Sequence, residues 1–156
     1  MYTILFKGLS LGSHMFDWTI NGSFFAGYEM SEISDASINV QLTLVKHSRF
    51  IELNFVFNGW AEVSCDRCLD PLRLDMASDA QMFVRFSNHA GEDDSDDDDV
   101  IILSHDEDQL DVSQYLYEYL HLNLPLRRVH PDDTHGHSTC NAEMLTKLNE
   151  LIVKSN

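Results

Sequence analysis

The sequence predicts an α+β fold: a mostly antiparallel sheet laid out as a meander, with barrel-like closure left open, followed by two C-terminal helices. Three observations carry that expectation. Through the middle of the chain apolar residues recur at every second position, the mark of half-buried strands. From Val112 onward they recur at three and four, the mark of amphipathic helices. A length of 156 residues with 44% apolar content is enough to build one core, so residues 1–156 are expected to form a single domain.

The elements follow in order. Two extended runs, near residues 2–7 and 15–20, should add to the sheet, with Asn21-Gly22-Ser23 as a turn and Phe24-Phe25 packing under it. Alternation is cleanest over residues 37–45, where Ile38, Val40, Leu42 and Leu44 interleave with Ser37, Asn39, Gln41 and Thr43. After the polar break Lys46-His47-Ser48-Arg49 the pattern resumes with Ile51, Leu53, Phe55 and Phe57, which predicts a hairpin. Gly59 is expected to mark a bulge before Trp60-Ala61-Glu62-Val63-Ser64 leads into Cys65. Leu72, Leu74 and Met76, then Ala80, Met82, Val84 and Phe86, extend the meander, with Arg73, Asp75, Gln81 and Arg85 between them.

Residues 88–99 form an acidic, low-complexity stretch expected to be a mobile, solubilising loop; it lacks the spaced ligands and glycine of an EF-hand. A helix should follow, with Val112, Tyr115, Leu116, Tyr119 and Leu120 on one face, Asp111 as its cap with Gln114 three residues on, and Pro125 beyond its end. A second helix is expected after Asn141, with Leu145, Leu148 and Ile152 on one face.

The net charge of -16 argues against broad contact with nucleic acid, but its distribution qualifies this. Residues 92–111 hold 11 of the 26 acidic residues and neither Lys nor Arg, leaving 15 acids against 10 bases elsewhere. A basic protein suits the acidic segment better than RNA does. No apolar run approaches the roughly 20 residues of a membrane span, and no basic leader precedes the first apolar run. Three cysteines, two of them in C-x-x-C spacing, fit a reducing compartment, and the expected location is the cytoplasm.

Cys65 and Cys68 can reach one zinc from a single tight turn; Cys140 offers a third thiolate, and His130, His135 and His137 offer imidazoles. Free thiols in a stable turn are the alternative. A redox C-x-x-C requires a helix start, whereas strands flank this one. No nucleophile elbow, H-E-x-x-H or phosphate loop occurs. Arg127-Arg128 could meet an RNA phosphate, or pair with Asp132 and Asp133. Tyr115, Tyr117 and Tyr119 belong to one helix, whereas a base-stacking platform needs aromatics on an exposed sheet.

The order of these features, Val63-Ser64-Cys65-Asp66-Arg67-Cys68-Leu69, an acidic stretch, an Asp-capped helix, then Leu122-Asn123-Leu124-Pro125-Leu126-Arg127-Arg128-Val129-His130 and Cys140, resembles the YceD family of large ribosomal RNA subunit accumulation proteins. The resemblance implies a non-enzymatic role in accumulating large-subunit (23S) ribosomal RNA and in ribosome biogenesis. The partner would be a ribosomal RNA precursor or a basic ribosomal protein, with no membrane and no small-molecule substrate. Many relatives carry further cysteines after the L-P-L-R segment; here His130 stands at the first of those places and Cys140 at a later one. The implied structural zinc set is therefore Cys65, Cys68, His130 and Cys140, with Arg67, Arg127 and Arg128 as the partner-binding cations. The competing expectation is a zinc-dependent or thiol enzyme using Cys65, Cys68 and Cys140.

Overall fold

The computed structural model describes residues 2–87, 99–136 and 139–154, the last three by backbone alone. Apart from Asp99, the acidic stretch expected to be mobile lies outside the described residues, as do His137 and the Ile152 side chain. The elements are β1 (Thr3–Leu5), β2 (Gly12–Asn21), α1 (Gly22–Ala26), β3 (Asp35–Lys46), β4 (Phe50–Ser64), β5 (Pro71–Ser87), β6 (Val100–Ser104), β7 (Gln109–Asp111), α2 (Ser113–Leu122) and α3 (Ala142–Lys154).

Five strands form one open sheet in the order β2-β3-β4-β5-β6. The first four are an antiparallel meander, whereas β6 runs parallel to β5. The sheet does not close into a barrel, because β2 and β6 remain its two edges. The register aligns every inward position: Trp18 faces Val40, Val40 faces Phe57, and Leu42 faces Phe55, which faces Ala80. Period-two alternation thus places Ile38, Val40, Leu42, Leu53, Phe55, Phe57 and Met82 on one fully buried face.

Two expectations for the N-terminal part are corrected. The first extended run does not join the main sheet: β1 pairs antiparallel with β7, and the opposed Ile4 and Leu110 are both buried. A three-residue strand gains more by placing one large side chain in the core through this ribbon than as a short sheet edge. The Asn21-Gly22-Ser23 turn is the start of α1, where the Ser23 N–H donates to Asn21 Oδ1 and Phe25 is driven inside.

Gly59 is not at a bulge. β4 pairs continuously with β3 on one side and β5 on the other, with Ile38 opposite Gly59 and Gly59 opposite Met76. Its φ of 154° and the close approach of the Ser37–Ile38 backbone explain the glycine: a Cβ here would lie 2.8 Å from Ile38 Cα.

α2 covers the inner face of the sheet. Val112, Leu116 and Leu120, four residues apart, are fully buried, while the Tyr119 ring sits 6.4 Å from that of Phe55. The N-cap of α2 is Val112, with no side-chain cap bond, rather than Asp111; Asp111 Oδ1, one residue earlier, accepts from the Ser113 N–H at 2.9 Å, and Gln114 turns to Glu118. α3 starts where Asn141 Oδ1 accepts from the backbone N–H groups of Glu143 and Met144. Among the described residues, no helix is long and apolar enough to cross a membrane.

Candidate metal centre

Val63 is the last inward residue of β4 before Cys65, so strand alternation aims Cys65 into the core. Ser64 pairs with Pro71 across the hairpin, and residues 65–70 make the loop between. The Cys65 N–H donates to the Asp70 carbonyl at 2.9 Å, and the Leu69 N–H donates to the Cys65 carbonyl at 3.0 Å. Closing so tight a loop puts Leu69 at a φ of 66°, left-handed backbone uncommon for leucine. The Arg67 N–H points at Cys65 Sγ, 3.4 Å away.

The second half of the site comes from the chain after α2. Leu124 is buried, and the backbone of Arg128 then bonds Asp66 twice: the Asp66 N–H donates to the Arg128 carbonyl at 2.6 Å, and the Arg128 N–H donates to Asp66 Oδ2 at 2.8 Å. The Arg128 guanidinium donates to the Pro125 carbonyl and pairs with Glu32 at 2.9 Å. Asn141 Nδ2 donates to Asp70 Oδ2 at 3.0 Å, so the cap of α3 also ties that helix to the cysteine loop.

These braces bring four donors together. Cys65 Sγ, Cys68 Sγ, a ring nitrogen of His130 and Cys140 Sγ all lie within 4.8 Å of one another. Cys65 Sγ is 3.6 Å from Cys140 Sγ, and Cys68 Sγ is 3.4 Å from His130 Nδ1. A tetrahedral zinc with Zn–S of about 2.3 Å and Zn–N of about 2.0–2.1 Å requires edges of about 3.8 Å between sulfurs and about 3.5 Å between sulfur and nitrogen. The Cys65–Cys140 and Cys68–His130 separations are close to those edges, and the donor types suit such an ion.

The surroundings favour the ligating thiolate at Cys65 and orient the His130 ring, while stabilising the protonated form of that imidazole. His130 Nε2 lies 3.1 Å from the Pro71 carbonyl, an acceptor only, so Nε2 carries the proton and Nδ1 faces the thiols with its lone pair. Burial pushes the Cys65 thiol up, but hydrogen bonds from the backbone at Cys68, Arg67 and His130 and from the Cys140 side chain outweigh it, bringing the thiol down to about 6. Burial lowers His130; the Pro71 carbonyl and the neighbouring Cys65 overcome this and hold it above its usual value. Cys65, Cys68 and Cys140 are 0%, 1% and 8% exposed.

The other residues singled out in the sequence are distributed around this centre. Arg67 sits in the loop itself and is half-buried; Arg127 is exposed. The carboxylate partner of Arg128 is Glu32 rather than Asp132 or Asp133. His135 is exposed and outside the four-donor group, its N–H donating to Asp133. Sequence reasoning missed Glu32, Asp66, Asp70 and the Pro71 carbonyl, because their roles depend on contacts between distant segments.

The family model described as large ribosomal RNA subunit accumulation protein YceD matches residues 53–150, from within β4 to within α3. Searches of curated proteins and of solved structures gave no match. The matched stretch holds all four donors and every brace except Glu32, and it spans well over half of the sequence. The chain therefore belongs to the YceD family of large ribosomal RNA subunit accumulation proteins.

Proposed function

We propose that this chain is a non-enzymatic factor in the accumulation of large-subunit (23S) ribosomal RNA and in ribosome biogenesis, working in the cytoplasm. Zinc held by Cys65, Cys68, His130 and Cys140 fixes the β4–β5 loop against residues 124–141. The composite surface so made meets a ribosomal RNA precursor or a ribosomal protein, with Arg67, Arg127 and Arg128 as its cations. The observation that carries this reading is the convergence of four donors from two segments of a YceD-family chain within 4.8 Å.

Four protein donors complete a tetrahedral zinc, and a complete shell holds shape rather than activating water. An enzyme would need an open position or a reachable thiolate; all three cysteines are at most 8% exposed. Arg128, engaged with Glu32 and Pro125, holds the backbone of this surface, and Arg127 is its outward cation.

The test is a deletion strain complemented with a tagged copy at native expression. Reduced large-subunit RNA in the deletion, together with co-sedimentation of the tagged protein with large-subunit precursors, is the expected result. Normal large-subunit RNA and sedimentation only as free protein would refute the reading.

A further inference from the structure

The sheet has a second face. The inner one is covered by α1, α2 and the β1–β7 ribbon, whereas outward residues such as Met15, Val56, Phe50 and Ile102 are 67%, 41%, 37% and 36% exposed. Among the described residues, no element lies over this outer face. At its end beside the β3–β4 turn, Phe50 and Phe83 bring their rings to 6.4 Å, tilted by 56°, and His47 stacks on Phe50 at 4.3 Å. Arg85 lies opposite Phe50 in the register, and Arg49 adjoins it in the turn. Arg49, Phe50, Phe83, Arg85, Phe86 and Val100 line a hollow of about 550 Å³.

These two arginines differ from three other cations of the chain. Lys46, at the same end, donates to the carbonyls of Phe6, Lys7 and Leu9; Arg128 pairs with Glu32; Arg73 lies 3.8 Å over the Trp60 ring. Arg49 and Arg85 are exposed and have no hydrogen-bond or ion-pair partner among the described residues. Two unengaged guanidinium groups beside the exposed Phe50 ring and the half-buried Phe83 ring make an arginine–aromatic patch in a chain of net charge -16.

We infer that this patch binds single-stranded RNA, with a base stacked at Phe50 and Phe83 and flanking phosphates on Arg49 and Arg85. This goes further than the proposed role in ribosomal RNA accumulation, on which it rests, by naming a second RNA-contacting surface, at the opposite end of β4 from the composite surface at the metal centre. Aromatic rings on an open sheet accept the face of any base, and guanidinium groups pair with phosphate in a fork. An acidic peptide would satisfy the arginines but has no use for the rings. Glu52 stands opposite Phe83 in the register, and Asp99 meets the same strand through its carbonyl, which accepts from the Phe83 N–H. Glu52 is itself engaged by Asn54 Nδ2. These carboxylates oppose phosphate on their side and steer the backbone toward the arginines.

The experiment is fluorescence anisotropy with a short labelled single-stranded RNA and the full chain, across a salt series, with each variant first shown to keep the wild-type circular dichroism and urea midpoint. The double variant Arg49→Ala/Arg85→Ala is expected to weaken binding and to reduce the log–log salt slope by about 1.4, at about 0.7 per phosphate on a single strand. Phe50→Leu is expected to weaken binding about tenfold without changing the slope, and Phe50→Tyr to restore it. Wild-type affinity in the arginine and Phe50→Leu variants overturns the assignment. If Arg127→Ala alone abolishes binding, the patch is excluded while the broader function stands. If polyglutamate of equal charge competes as well as RNA and Phe50→Leu changes neither, the patch serves an acidic protein and the RNA assignment falls. Absence of RNA binding by a wild-type protein that still co-sediments with precursors also overturns it; absence of both removes the broader function as well.

Discussion

Replacing Gly59 with alanine would drive a methyl group into the Ser37 carbonyl oxygen and to 2.8 Å from Ile38 Cα, at a φ of 154°. β4 is bonded on both sides here, so neither neighbour can withdraw without breaking a ladder. A strained backbone costs about 1–3 kcal/mol, and overpacking a tight site costs about 1–3 kcal/mol more. Gly59→Ala is therefore expected to destabilise by about 2–6 kcal/mol, a large share of the roughly 5–15 kcal/mol that holds a domain together. With a urea slope of roughly 2 kcal/mol per molar, the unfolding midpoint should fall by about 2 M. A glycine needed only to relieve left-handed backbone at a bulge would lose about 1–2 kcal/mol. A measured loss in that lower range, with the slope unchanged, would refute the close-approach explanation.

Three further outcomes are expected. Zinc should bind more weakly as pH falls, followed with a chelating dye. Protons compete with the metal for the Cys65 thiolate and for His130, so a zinc affinity independent of pH would contradict the ligand set. Arg128→Ala should lower stability by about 1–2 kcal/mol in urea unfolding, discounted because Glu32 is 58% exposed, whereas Arg127→Ala should stay within about 0.5 kcal/mol; equal effects would remove the brace from Arg128. Leu69→Asn should raise stability by about 0.5–1 kcal/mol with zinc content unchanged, because asparagine tolerates a φ of 66° and the leucine is 63% exposed. A drop in the urea midpoint would show that the Leu69 side chain does more than sit in solvent.

What could be read from the sequence was whatever a local period encodes. Alternation at Ile38 to Leu44 and Ile51 to Phe57 identified β3 and β4, and the four-residue spacing of Val112, Leu116 and Leu120 identified α2. Strand partners were less accessible. Three-residue segments such as β1 and β7 carry no usable period, and the parallel β6, Val100-Ile101-Ile102-Leu103, is a continuous apolar run without alternation. Gly59 shows the same limit, since a bulge and a close backbone approach call for the same residue. At the site, the donor types were visible in C-x-x-C and in the residues after Pro125, but the braces through Asp66, Asp70 and Glu32 join positions tens of residues apart. The Phe50–Arg85 patch left a faint signal: aromatic and basic residues at outward strand positions, where polar residues are the rule.

The most direct test of the account is the metal content of the purified protein, measured for the wild type and for Cys65→Ser, His130→Ala and Cys140→Ser. If the β4–β5 loop and residues 124–141 are one site, the wild type holds one zinc per chain, and substitution in either segment removes it. Zinc retained at full occupancy in His130→Ala or Cys140→Ser, or none in the wild type, would contradict the claim that a metal joins the two segments.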